Sequence, residues 1–94
     1  MPFPAQEPRP FTFTEVAGLH PRQYGCYGLF NRFGCVYIGK GDIRERLLAH
    51  LRGDNPLITL FGPTHWMGIV TPVFDYLEKQ LIWEFNPAAN LRVG

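Results

Sequence analysis

Residues 24–50 read YGCYGLFNRFGCVYIGKGDIRERLLAH, and the fold turns on how this stretch is parsed. The run Tyr24–Phe30 is rich in aromatics, and Cys35–Ile38 is apolar and β-prone. Between them Asn31-Arg32-Phe33-Gly34 is a short polar connection ending in glycine, which marks a hairpin. The simplest loop is Arg32-Phe33-Gly34, with Gly34 left-handed in a bulge, closing on an Asn31–Cys35 pair. That register sets Tyr27 opposite Gly39 and Leu29 opposite Tyr37. Side chains alternate faces along a strand, so Tyr27 and Tyr37 share a face as diagonal neighbours. Gly39 leaves open space beside the Tyr27 ring. A slip of one residue would send the two rings to opposite faces.

The same stretch runs directly into a helix. Asp42 stands as N-cap with Glu45 three residues on, a capping box. At about 100° per residue, Ile43, Leu47, Leu48 and Leu51 form one apolar arc. Arg46 and His50, four apart, fall together on one flank of it. Arg44 falls inside the arc, where its stem can pack while its head reaches water.

Downstream, Gly53-Asp54-Asn55-Pro56 is a loop signal. Leu57–Phe61 predicts one or two helical turns, and Trp66–Val70 a strand. Thr71-Pro72 then starts a helix with a hydroxyl cap and proline at the first position. It runs to about Phe85, where Asn86-Pro87 ends it. Phe74, Leu77, Leu81, Ile82 and Phe85 make its apolar stripe, and Glu78 lies at the centre of that stripe. Tyr76, Lys79, Gln80 and Trp83 lie on the other side. A carboxylate on a buried face is costly unless it is paired or bound to a cation. Glu78 is therefore either half of a structural ion pair, with Arg46 or another base, or a functional group.

The ninety-four residues bound one domain of modest stability, 46% apolar and 15% aromatic. Residues 1–22 read as a proline-punctuated extension and lead-in, and 23–94 as the domain. Within the lead-in, Phe11–Thr14 could add an edge strand, or Thr14–Leu19 a helical turn ended by Gly18. No run approaches a membrane span, and the early prolines break any secretory leader. In the register above Cys26 and Cys35 face opposite ways and should not bond to each other, so a reduced, cytoplasmic protein is expected. The net charge of +1 is small for a nucleic-acid binder. Locally the balance is better, with five basic residues against two acidic ones from Arg32 to Arg52. No zinc-ligand spacing, Ser-His-Asp set or phosphate loop is present.

Taken together, these pieces resemble the GIY-YIG nuclease family. Gly25-Cys26-Tyr27 is similar to the GIY element, with Cys26 replacing the usual aliphatic, and Tyr37-Ile38-Gly39 is the YIG element unchanged. The two tyrosines lie ten residues apart, Arg46 follows Tyr37 by nine, and His50 follows four later. Glu78 stands ahead of Leu81-Ile82, and Pro87 and Asn90 match the closing P-x-x-N element. The likeness covers residues 25–90. Each motif alone is weak, and their order and spacing carry the resemblance.

The resemblance implies a metal-dependent endonuclease acting on DNA, with RNA as the alternative, in repair or on branched or flap structures. It implies Tyr27, Tyr37, Arg46, His50 and Glu78 as catalytic residues, with Tyr27 as base or water-positioning group. Glu78 is the implied single Mg²⁺ or Mn²⁺ ligand, and Lys40, Arg44 and Asn90 are candidates for substrate binding. One carboxylate plus waters and substrate phosphate is how Mg²⁺ is commonly held, and a planar guanidinium suits a phosphate oxygen. Asn90 is expected to tie the site together by hydrogen bonds, for instance to the GIY strand. Taken singly, each residue has a plainer reading: the tyrosines as strand packing, Arg46 and His50 as a solvated helix flank, Trp66 and Trp83 as core. Two alternatives keep the fold without the reaction: a nucleic-acid-binding domain that cleaves poorly, and an interaction module, with a homodimer or partner protein supplying target recognition. The architecture expected is a small α/β (α+β) layer, in which a mostly antiparallel three-stranded sheet is flanked by helices. Its five site residues are expected on one shallow concave face.

Overall fold

The hairpin forms as β2 (Tyr24–Asn31) and β3 (Gly34–Asp42) in a computed structural model that describes residue 3 and residues 5–90. Tyr27 pairs with Gly39 and Leu29 with Tyr37, the expected register. The turn that sets it differs. Asn31 pairs with Gly34 rather than Cys35, so only Arg32 and Phe33 lie in the loop. The register then shifts between Leu29 and Phe30, because Val36 is an extra residue on β3. The Asn31 side chain accepts the Phe33 N–H at 2.8 Å, which favours the tighter turn. The bulge also reverses the expectation for the cysteines: Cys35 packs in the same cluster as Cys26. Both are free thiols, and burial pushes Cys26 up to about 11 and Cys35 to about 12.

Strand β4 (His65–Val70) pairs with the other side of β2, and β1 (Arg9–Pro10) pairs with β4. Among the described residues the sheet is thus four-stranded and antiparallel, ordered β1-β4-β2-β3, where three strands were expected. The added strand comes from the N-terminal lead-in. The following segment is the helical alternative: α1 (Phe13–Ala17) has Thr12 as N-cap and ends at Gly18. Phe3 is buried as well, packed against Phe30 and Phe85. Met1, Pro2, Pro4 and residues 91–94, and with them the expected irregular tail end, lie outside the described residues.

Two clusters of apolar side chains cover the two sheet faces. Alternation along β2 sends Tyr27 and Leu29 to one face and Cys26 to the other. On the first face α2 (Ile43–Leu51) buries Ile43, Leu47 and Leu48 against Tyr27, Leu29 and Val36. Asp42 caps this helix, accepting the Glu45 N–H at 3.2 Å. Short α3 (Pro56–Phe61) adds Ile58 to the same cluster. On the second face α4 (Phe74–Phe85) lays Phe74, Leu77, Leu81, Ile82 and Phe85 over Cys26 and Ile38. Helix α4 starts at Phe74 rather than Pro72, since Thr71 spends its hydroxyl on the Val73 N–H inside a preceding turn. Trp66 is buried as expected, but Trp83 is 89% exposed on the outer side of α4. No helix among the described residues is long and apolar enough to cross a membrane.

Candidate active site

Helix α2 carries Arg46 and His50 toward the Tyr27 side of the sheet. Its apolar arc docks on the hairpin, so its flank necessarily lies over the two strand tyrosines. The rings of Tyr27 and Tyr37 lie 6.3 Å apart, and the His50 ring lies 5.6 Å from the first and 5.2 Å from the second. The Tyr27 hydroxyl and His50 Nε2 are hydrogen-bonded at 2.6 Å. Gly39 makes this possible, since a Cβ there would strike the Tyr27 ring and hydroxyl. Tyr27 has no exposed surface, whereas Tyr37 is partly open and Arg46 is 42% exposed at its side chain.

Asp54 completes this group, and sequence reasoning passed over it as a loop residue. Its Oδ1 lies 2.7 Å from His50 Nδ1, and its Oδ2 accepts from Arg46 Nη2 at 3.2 Å. The only signal for it was the four-residue spacing from His50, which lies across the end of the helix. Gly53, at φ 84°, bends the chain so that Asp54 returns beneath His50. Its backbone N–H donates to the Ala49 carbonyl at 3.2 Å.

Burial dominates the electrostatics of this cluster. Desolvation pushes the Tyr27 phenol well above its ordinary value, and nearby Tyr37 adds to the shift. Desolvation also lowers His50, and Asp54 only partly offsets it. Lys40, a substrate-binding candidate, does not belong to this cluster. Lys40 pairs across the strands with Cys26 and so occupies the other sheet face.

Glu78 sits on that other face too. Its side chain is 16% exposed, and its Oε1 lies 3.6 Å from Lys40 Nζ. Lys40 also forms a close ion pair with Asp75, one turn earlier on α4. This Asp75 hydrogen bond holds the lysine above its usual range. The five expected site residues therefore do not share a face: four gather over α2, and Glu78 lies with Lys40 beneath α4. Between them lie glycines of β2 and β3, of which Gly25 packs on the Ile69 carbonyl and Gly39 on the Tyr27 ring. Gly25 pairs with Gly41, Gly39 lies beside them, and β3 is the outer strand of the sheet. A Cβ on Gly41 would touch the Arg46 stem at 3.4 Å. Arg46 and Lys40 thus approach the same glycine corner from opposite sides.

Two substrate-binding candidates have local structural contacts. Arg44 donates from Nε to the Ala17 carbonyl at 3.4 Å, tying α2 to α1. Asn90 accepts the Ile38 N–H at 2.7 Å and donates to the Ile38 carbonyl at 2.9 Å. It therefore pins the YIG strand, not the GIY strand. The YIG strand is the one whose outer edge needs partners.

An antiparallel sheet with a tyrosine-bearing central hairpin, an arginine–histidine helix on one face and a glutamate helix on the other is the GIY-YIG endonuclease-domain fold. The structural neighbours include several forms of one such domain, the GIY-YIG N-terminal endonuclease domain of UvrC from Thermotoga maritima. The domain bound to its catalytic divalent cation, magnesium, matches with a TM-score of 0.72 at 25% identity, over 84% of this chain and 96% of that one. A point mutant bound to the cation matches with a TM-score of 0.72 at 26% identity, over 84% and 93%. No family model and no curated protein matches the chain.

Proposed function

We propose that this protein is a divalent-metal-dependent endonuclease that hydrolyses phosphodiester bonds of DNA. The observation that carries the reading is the convergence of Arg46 and the Lys40–Glu78 pair on one glycine corner of a GIY-YIG fold. A polymer backbone can reach this corner at Gly41, which is partly exposed on the edge strand.

Glu78 suits a hard cation. It is a mostly buried carboxylate whose contact here is one lysine 3.6 Å away, longer than a good charge-assisted hydrogen bond. No group of three His, Cys, Asp or Glu side chains among the described residues could enclose an ion. A site of this kind leaves most positions to water and substrate, as Mg²⁺ prefers. When bound, the ion supplies Lewis-acid stabilisation of charge on phosphate oxygens. The chain's own residues do the rest. Arg46, exposed on the opposite side, grips a non-bridging oxygen with its planar fork. Tyr37 is the phenol open to solvent and positions the attacking water. Tyr27 and His50 lie beneath it and hold the exposed groups in place, since a sealed phenol with a raised pKa is a poor base. Lys40 adds a second positive charge for the backbone.

The surface is not strongly basic, at net +1. Target recognition is therefore assigned to the shape of the nucleic acid, or to a second copy or partner protein, rather than to general electrostatic attraction. The test is a panel of duplex, flap, branched and single-stranded DNA and the matching RNAs, incubated with Mg²⁺ or Mn²⁺ and with chelator. Metal-dependent cutting of a DNA structure is expected. Binding without cutting supports the catalytically weak alternative, and RNA-only cutting reassigns the substrate.

A further inference from the structure

Four side chains, His50 among them, form a continuous polar chain inside an otherwise apolar face. The Tyr27 hydroxyl meets His50 Nε2 at 2.6 Å, and His50 Nδ1 meets Asp54 Oδ1 at 2.7 Å. The other Asp54 oxygen meets Arg46 Nη2 at 3.2 Å. His50 is the only polar or charged residue in the buried set of described residues, with 1% of its side chain exposed. An imidazole so enclosed cannot turn to water for its missing partners, so its neighbours decide which nitrogen carries the proton.

The chemistry of those neighbours is unequal. An ionised carboxylate accepts hydrogen bonds and cannot donate. Nδ1 facing Asp54 must therefore carry a hydrogen. In a neutral ring Nε2 is then bare, and the Tyr27 hydroxyl, able to donate or accept, must donate to it. The same carboxylate anchors the guanidinium that reaches the surface. We infer that Asp54 is a positioning residue, which fixes His50 in its Nδ1–H form, sets the direction of the Tyr27 hydroxyl and aims Arg46. Its effect on catalysis rests on the endonuclease reading above; the tautomer does not. Asp54 acts on the reaction only through Arg46 and the tyrosine pair, and touches no reacting atom itself.

Asp54 is placed for this role by backbone, not by chance contact. Gly53 ends α2 with a positive φ, and the Asp54 N–H returns to the Ala49 carbonyl. The carboxylate is thereby held below the last turn of the helix. An asparagine at 54 would fit the space but has one acceptor and one donor end. Its amide must point a donor either at Arg46, which loses that contact, or at His50, which forces the ring into its Nε2–H form and reverses the hydrogen bond to Tyr27.

The experiment has a spectroscopic arm and a kinetic arm. Long-range ¹⁵N–¹H correlation on the full-length protein at neutral pH should show His50 as the Nδ1–H tautomer. An Nε2–H tautomer, or a doubly protonated ring, would overturn the assignment without any variant being made. Asp54→Asn should then disturb the His50 ring signals and lower kcat by on the order of 10²-fold through misplacement of Arg46. Unchanged ring signals, or an unchanged kcat, would also overturn it. If the wild-type protein cuts with Mg²⁺ and Asp54→Asn cuts equally well, this inference fails and the endonuclease reading stands. If the wild type cuts nothing under any condition, the endonuclease reading fails, and the spectrum still decides the tautomer.

Discussion

His50 shows how much a residue's surroundings decide its chemistry. On a helical wheel it is a flank residue beside Arg46, and a flank histidine is usually solvated. In the fold it faces Tyr27 from β2, Tyr37 from β3, Arg46 from its own helix and Asp54 from the following loop. Burial outweighs the carboxylate, so the folded ring takes up a proton only below its ordinary value of 6.5. The consequence for stability has a definite sign. The unfolded chain binds the proton first as pH falls, so stability present above about pH 6.5 is lost as pH drops through the folded value. A single such group contributes at most about 1.4 kcal/mol per pH unit. Urea unfolding between pH 7.5 and 5 should show this fall, and His50→Gln should make it shallower. An identical slope in the variant would mean that His50 is not the group responsible.

At the scale of elements, the hairpin and the two long helices were legible because their signals are local. Asp42, the apolar arc of α2 and the stripe of α4 each sit within a few turns of chain. The bulge at Val36 was not legible, since a two-residue turn with one bulged residue and a three-residue turn lead to the same Tyr27–Gly39 pairing. Nor was the strand Arg9–Pro10, whose two residues owe their conformation to β4 rather than to any preference of their own. Asp54 escaped because its role depends on where Gly53 sends the chain. Glu78 was visible as a misfit on its stripe, but its side of the sheet depends on how α4 crosses, which periodicity does not report. Asn90 was read as a tie, and its target is β3: with Ala88 and Ala89 it supplies partners to Cys35, Val36 and Ile38 along that edge. Replacing Asn90 by alanine removes both bonds to Ile38 and should cost about 1–3 kcal/mol in urea unfolding. A loss under about 0.5 kcal/mol, within the range of ordinary surface changes, would show that the tail does not hold the strand.

For the whole molecule, the sheet works as a thin partition. One helix layer brings a guanidinium and a buried tyrosine–histidine–aspartate group to one face, and the other brings a carboxylate and a lysine to the opposite face. Gly25 packs on the Ile69 carbonyl, Gly39 on the Tyr27 ring and Gly41 beside the Arg46 stem, so only thin backbone separates the two sets of groups at this end of the hairpin. This accounts for the glycines of the motif as well as the tyrosines: Gly25 admits the β4 backbone and Gly39 admits the Tyr27 ring. The central claim is that cleavage draws on both faces at once. Single-turnover cleavage of the preferred substrate in Mg²⁺, measured for wild type, Arg46→Ala and Glu78→Gln with folding checked by circular dichroism, tests it most directly. Both variants should stay folded and lose about 10²-fold or more in rate; a folded Glu78→Gln protein that cuts at the wild-type rate would contradict the account.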